Sequence, residues 1–150
     1  MNVLYGPSWS FTVQGIATKR GADKGRGGQM HADPDTVRYE QRVASAALEA
    51  GLAVGEHPCE VRLAIYPPDW RRRDHDRVLC AIFDGMKRAG KRALADDNMR
   101  VVRRTVIETP DVDAANPRVE VTVTLLDVAC PRAHAPQVEP YVCACGEVVA

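Results

Sequence analysis

Six consecutive residues, Arg71-Arg72-Arg73-Asp74-His75-Asp76, set two carboxylates against three guanidinium groups, and a second acidic pair, Asp96-Asp97, follows after a helix-like segment. Carboxylate oxygens hold hard divalent ions such as Mg²⁺, while neighbouring Arg and Lys neutralise phosphates brought to that metal. The combination suits metal-assisted cleavage of a phosphodiester chain. Asp-x-Asp and Asp-Asp are weak signals singly, because acids at helix caps and turns are common. The adjoining arginines strengthen them.

Those residues need a scaffold, and 150 residues suffice for one domain with a real core. Apolar residues at 45% and charged residues at 27% are those of an ordinary globular protein. The formal net charge is zero, yet the charges are segregated. Residues 69 to 92 carry eight Arg and Lys against four Asp, whereas residues 105 to 150 carry two Arg against seven acids. A phosphate chain responds to the local field, so the basic middle can bind it despite the neutral total. Two solvated faces of opposite sign are the plainer alternative. Five cysteines, an odd number, and no leader-like apolar run predict reduced thiols and a cytoplasmic chain. No stretch approaches the roughly 18 apolar residues needed to cross a bilayer, so no membrane partner is expected.

The hydrophobic pattern predicts a short strand over 10–14, then a mobile basic loop over 15–28 with Lys19, Arg20, Lys24 and Arg26. Asp33-Pro34 opens a helix whose apolar positions Val37, Val43, Ala46, Ala47 and Leu48 run to a stop at Gly51. Val61, Leu63 and Ile65 alternate in a strand over 60–66, ended by Pro67-Pro68. Val78, Leu79, Ile82, Phe83 and Met86 mark an amphipathic helix from about Asp76 to Ala89, stopped by Gly90. Strands over 99–108 and 118–125 follow, the second with Val119, Val121, Val123 and Leu125 on one face. This order predicts an α+β domain with a mixed sheet and two main helices.

Asp74 and Asp76 then fall in the connection and first turn of the second helix, where the helix dipole favours carboxylates. Asp96 and Asp97 fall in the link that follows it. The helix separates its ends by about 20 Å. Six extended residues span that distance, so convergence of the acids is possible but not forced.

The ordered set Arg71-Arg72-Arg73-Asp74-His75-Asp76, Ala81-Ile82-Phe83-Asp84-Gly85-Met86-Lys87-Arg88-Ala89-Gly90 and Asp96-Asp97 resembles the RusA family of Holliday-junction resolvases. The family pattern is an Arg-rich turn, Asp-x-Asp-Asn-x-x-Lys, a helix of the type ALFDAL-x-x-AG, and a closing Asp-Asp. Looser matches are Gly15 with Lys19-Arg20, Tyr39-Glu40, and Arg118 to Val121. The resemblance covers roughly 10–126, which divides the chain into a nuclease domain over 1–126 and an extension over 127–150 with a short terminal strand. It implies a homodimeric, Mg²⁺-dependent endonuclease, with Mn²⁺ as substitute and no small-molecule cofactor. It would cut four-way DNA by paired symmetric nicks in recombination and repair, in a bacterial cell or encoded by a phage. Asp74, Asp76 and Asp97 match the family's essential acids, with Asp96 beside them as a further metal-ligand candidate. The DNA-binding candidates are Lys19, Arg20, Arg71, Arg72, Arg73, Lys87, Arg88, Lys91 and Arg92.

Two departures bear on the chemistry. Arg77 stands where the family has Asn, and Cys80 where it has a catalytic Lys. A thiol supplies no permanent cation and is a poor Mg²⁺ ligand. Arg77 is the candidate for the displaced charge, and Cys80 is expected as a small residue at the core edge. The link before Asp97 is also longer than the family's. His75 is a weaker candidate for metal ligand or base, its ring expected to face away, and Asp84 shares the helix face of Asp76 and Cys80. Cys130, His134, Cys143 and Cys145 could be zinc ligands only in atypical spacing, and small residues on a terminal strand over 141–149 explain the cysteines more simply. Two other readings stay open: a noncatalytic branched-DNA-binding protein that lost its lysine, and a structural DNA module whose acids only cap helices.

Overall fold

The computed structural model describes residues 4–17, 23–24, 30–31, 33–127, 141–142 and 148–149. The elements are β1 (Leu4–Gln14), β2 (Asp23–Lys24), β3 (Met30–His31), α1 (Pro34–Glu49), β4 (Cys59–Tyr66), α2 (His75–Arg88), β5 (Val102–Glu108), β6 (Arg118–Asp127), β7 (Tyr141–Val142) and β8 (Val148–Val149). Four of them form the main sheet in the order β1-β6-β4-β5. β6 pairs antiparallel with both β1 and β4, while β4 and β5 are parallel. The sheet is therefore mixed and the domain α+β, as the pattern predicted.

Period-two alternation sets the two faces of this sheet. Phe11 and Val13 on β1, Val119, Val121 and Val123 on β6, and Val61, Leu63 and Ile65 on β4 are buried. The register Phe11↔Val121↔Leu63 aligns them into rows. The opposite face is polar: Ser10, Thr122 and Arg62 make one row across it. Both helices serve the apolar face. Val78, Ile82, Phe83 and Met86 of α2 are buried with Leu79 packed beside them, and Tyr39, Val43 and Ala47 of α1 complete the core.

The helices touch at a glycine. A Cβ at Gly85 would lie 2.4 Å from Val43 Cβ and 3.0 Å from the Glu40 carbonyl oxygen, so only glycine permits this approach. Beside that contact the Glu40 carboxylate, 7% exposed, accepts from Arg88 Nε at 2.6 Å and ties α1 to α2.

A parallel pair needs a crossover, and α2 supplies it between β4 and β5. Its N-terminus lies where β4 ends, and its C-terminus lies toward the end where β5 begins. The returning link is held by backbone hydrogen bonds from Val54 N to Ala93 O, Gly55 N to Arg92 O and Ala95 N to Gly55 O. Ala93 and Leu94 are buried, so the longer link contributes to the core rather than merely spanning a distance.

Several boundaries differ from expectation. β1 starts at Leu4 and passes an irregularity between Tyr5 and Ser8, where Pro7 offers no ladder donor. β5 starts at Val102, because Asn98 turns the chain by accepting from the amides of Arg100 and Val101. Leu48, one of the apolar positions that marked the first helix, is 58% exposed. Within the stretch 141–149, β7 and β8 pair antiparallel, Tyr141 with Val149, and residues 143–147 lie outside the described residues. The proposed zinc ligands Cys130, His134, Cys143 and Cys145, like Lys19 and Arg20, lie outside the described residues.

Candidate active site

The two helices use their N-terminal aspartates differently. Asp33 caps α1, its carboxylate accepting from the Thr36 amide at 3.3 Å and the Thr36 hydroxyl at 3.2 Å. Asp74 holds the equivalent place on α2 but makes no side-chain cap hydrogen bond. Its exposed carboxylate instead faces Arg77 Nε at 3.8 Å. Asp76, in the first turn, is exposed as well. Both carboxylates are available to an outside cation, in the positive field of a helix N-terminus.

The second acidic pair sits differently. Asp96 is spent on a turn, accepting from the Asp97 amide at 2.8 Å and from Asn98 Nδ2 at 3.0 Å. The Asp97 amide is the largest cause holding the Asp96 carboxyl below the usual range. Asp97 pairs with Lys87, whose Nζ lies 3.2 Å from Asp97 Oδ1 and 3.2 Å from Asp84 Oδ1. Partial burial acts to lower the Lys87 pKa, but hydrogen bonds and charge from Asp84 and Asp97 outweigh it and hold it above the ordinary value.

Asp76, Cys80, Asp84 and Lys87 follow at helical spacing and line one side of α2. From Asp76 to Asp84 the rise is about 12 Å. The acids therefore form two groups along that line: Asp74 and Asp76 at its start, Asp84 and Asp97 joined by Lys87 further on. Among the described residues no three His, Cys, Asp or Glu side chains come close enough to hold one metal ion. Cys80 is exposed between the groups, not at the core edge as expected, because its i+4 relation to Asp76 puts it on the solvent side. Lys87, which a helical count places three residues after Asp84, is the cation the sequence reading did not connect to Asp97.

The arginines divide in the same way. Asp69 accepts from Arg73 Nη1 at 2.8 Å and from the Arg71 amide at 2.9 Å, with Arg71 Nε at 3.6 Å. The Arg73 hydrogen bond is the largest cause holding the Asp69 carboxyl low. Arg73 is thus committed within the loop, and Arg88 is committed to Glu40, whereas Arg72 and Lys91 point into solvent and Arg71 stays largely exposed while it faces Asp69. Arg92 is exposed in the pinned link. His75 Nε2 hydrogen-bonds Thr109 Oγ1 at 2.8 Å, joining the helix start to the end of β5. A cavity of about 310 Å³ lies here, bounded by Trp70, Arg72, Asp74, His75, Val78 and Thr109. A cavity of about 830 Å³ opens between β1 and α1 and contains none of these acids.

A mixed sheet with two helices on one face, the second carrying a line of carboxylates among cations, defines a nuclease-like α+β domain. Residues 13–124 match the family described as Endodeoxyribonuclease RusA, and the chain belongs to that family. Similar proteins include the crossover junction endodeoxyribonuclease RusA of Escherichia coli strain K12, 33% identical over 101 residues, covering 65% of this chain and 78% of that protein. The protein of the same name from Enterobacteria phage 82 is 32% identical over 101 residues with the same coverage. That of Shigella sonnei strain Ss046 is also 32% identical over 101 residues, with the same coverage.

Proposed function

We propose that the chain is a junction-resolving endonuclease that makes paired symmetric nicks in four-way DNA, in the cytoplasm of a bacterium or of a phage's host. The observation that carries this reading is the Asp74 carboxylate. It stands at a helix N-cap without capping, beside exposed Asp76 and next to Arg71 and Arg72. A module whose acids only cap helices would spend that carboxylate as Asp33 is spent.

Mg²⁺ keeps several waters and takes one or two carboxylates plus substrate phosphates, so the hard oxygens of Asp74 and Asp76 fit it, with Mn²⁺ as substitute. Asp97 would join when Lys87 releases it, and Asp96 would orient Asp97 through its turn. When bound, the ion supplies an activated water and charge for the leaving oxygen. The chain's own cations do the rest. Arg71, Arg72 and Lys91 grip phosphates on either side of α2, and Arg77 and Lys87 bring positive charge to the two ends of the acid line that Cys80 leaves neutral. Symmetric nicks require two such sites, which a homodimer with two-fold symmetry provides. The nuclease domain spans 1–126, with 127–150 as an extension.

A second reading, a noncatalytic branched-DNA binder, is favoured by one observation: Cys80 is exposed in the middle of the acid line, where the family pattern has Lys. One experiment separates the two. Synthetic four-way junction is incubated with the protein and Mg²⁺, and with Asp74→Asn, Asp97→Asn and Cys80→Lys variants. Paired nicks by the unaltered chain, abolished by either Asn, are expected. Binding without nicks, with cutting gained only in Cys80→Lys, would establish the second reading instead.

A further inference from the structure

We propose that Trp70 is a base-stacking residue, its indole covering the face of an unpaired nucleobase of branched DNA beside the Asp74 carboxylate. The proposal rests on the junction-cleaving reading and adds to it a site for the exposed base. Aromatic residues are scarce in this chain, and Phe11, Tyr39 and Phe83 are buried. Trp70 is 68% exposed. A large apolar ring left in water four residues before Asp74 forgoes the burial that normally keeps tryptophan inside, and such residues mark contact surfaces.

The loop around it is built to present it. Pro67-Pro68 restrict the entering chain, and the Asp113 amide donates to the Pro67 carbonyl at 2.8 Å. Asp69 then draws both Arg71 and Arg73 toward itself, and Arg73 Nη1 also donates to the Asp69 carbonyl at 3.1 Å and the Arg71 carbonyl at 3.2 Å. Trp70 and Arg72 are left facing outward from a braced turn, and Arg72 makes no ion pair among the described residues. The cavity beside them, about 310 Å³, matches the lower end of the ~300–1,000 Å³ of small-molecule clefts. Ile65, Pro67 and Val78 give it an apolar wall and the arginines a cationic rim.

That chemistry selects a planar aromatic ring attached to a phosphate: the ring stacks on the indole and the phosphate meets Arg72. In an intact duplex the base faces cover one another. Only unpaired bases, at a branch point or in a single strand, offer a free face.

The test is a fluorescence titration in Ca²⁺ without Mg²⁺, comparing the unaltered protein with Trp70→Ala and Trp70→Phe. The probes are single-stranded oligothymidine, a four-way junction and a linear duplex. Trp70 emission is expected to be quenched by oligothymidine and junction, and the quench must vanish in Trp70→Ala because the other tryptophan, Trp9, lies on β1. Trp70→Ala should bind both roughly tenfold more weakly, the order expected of one lost base stack, with Trp70→Phe retaining most affinity. Duplex affinity should change less than twofold. Equal binding of oligothymidine and junction by Trp70→Ala and the unaltered protein overturns the proposal, as does an equal loss on duplex. Trp70-dependent quenching by oligothymidine without any preference for, or cutting of, junctions would uphold stacking and overturn the junction reading alone.

Discussion

Replacing Arg88 with methionine should damage the fold and leave DNA binding nearly intact, although Arg88 belongs to the basic run that the sequence offers to phosphate. Its guanidinium is 44% exposed while the Glu40 carboxylate it holds is 7% exposed, at 2.6 Å. Losing the arginine strands a desolvated carboxylate between α1 and α2. A fully buried pair broken in this way costs about 3–5 kcal/mol, and an exposed pair about 0–1 kcal/mol. Solvent reaches this pair from the arginine side only, so about 2 kcal/mol is expected. For a domain of this size that is roughly 4–8 °C in Tm. Urea unfolding and a melt give the stability, and junction titration in Ca²⁺ well below the variant's Tm gives the affinity, which should stay within about twofold. Adding Glu40→Met to Arg88→Met should recover most of the lost stability, since both charges then leave together. Unchanged stability, or a tenfold fall in junction affinity with the fold intact, would refute the assignment of Arg88 to the helix interface.

Two further outcomes concern Lys87 and Cys59. Lys87→Met should lower junction cleavage on the order of 10²-fold, the scale of losing one charge-stabilising group, while Lys87→Arg retains part of it and junction affinity in Ca²⁺ changes little. A full cleavage rate in Lys87→Met would remove Lys87 from the chemistry. Burial pushes the Cys59 thiol up to about 12. A pKa raised by folding gives stability that is present below the unfolded value, about 8.5, and lost as pH rises toward 12. Urea unfolding between pH 9 and 11 should show a decline to which Cys59 contributes up to about 1.4 kcal/mol per pH unit, and Cys59→Ala should flatten that slope.

The elements were legible because their periodicities are clean. Val119, Val121 and Val123 alternate strictly and are buried together, and Val78, Ile82, Phe83 and Met86 repeat at helical spacing and do the same. Boundaries were less so. Nothing in the composition of residues 99–101 signals that Asn98 turns the chain there through its own side chain, and Leu48 faces water because α1 buries a narrower stripe than its apolar residues suggest. The candidate site was legible in its parts rather than its arrangement. The motif marked Asp74, Asp76 and Asp97, but whether a carboxylate is free, caps a helix or holds a lysine depends on rotamers and on a link pinned to Val54 and Gly55. The long-range pairing of Lys87 with Asp97 crosses that link. No local spacing encodes it.

The strand order has a consequence for how the protein is made. β6 is the last strand of the main sheet along the chain, yet it lies between β1 and β4 and is the ladder partner of both. During synthesis β1 and β4 emerge with no hydrogen-bonding partner in common, and α2 has only α1 and the parallel β4–β5 pair to pack against. The sheet can close only after residues 118–127 have left the ribosome, through contacts distant in sequence that form slowly. A nascent chain stalled before β6 would carry every carboxylate of the acid line, on α2 and the link after it, over a sheet still missing its central strand. The capacity to nick DNA therefore arrives with the last turn of the fold rather than with the motif that encodes it.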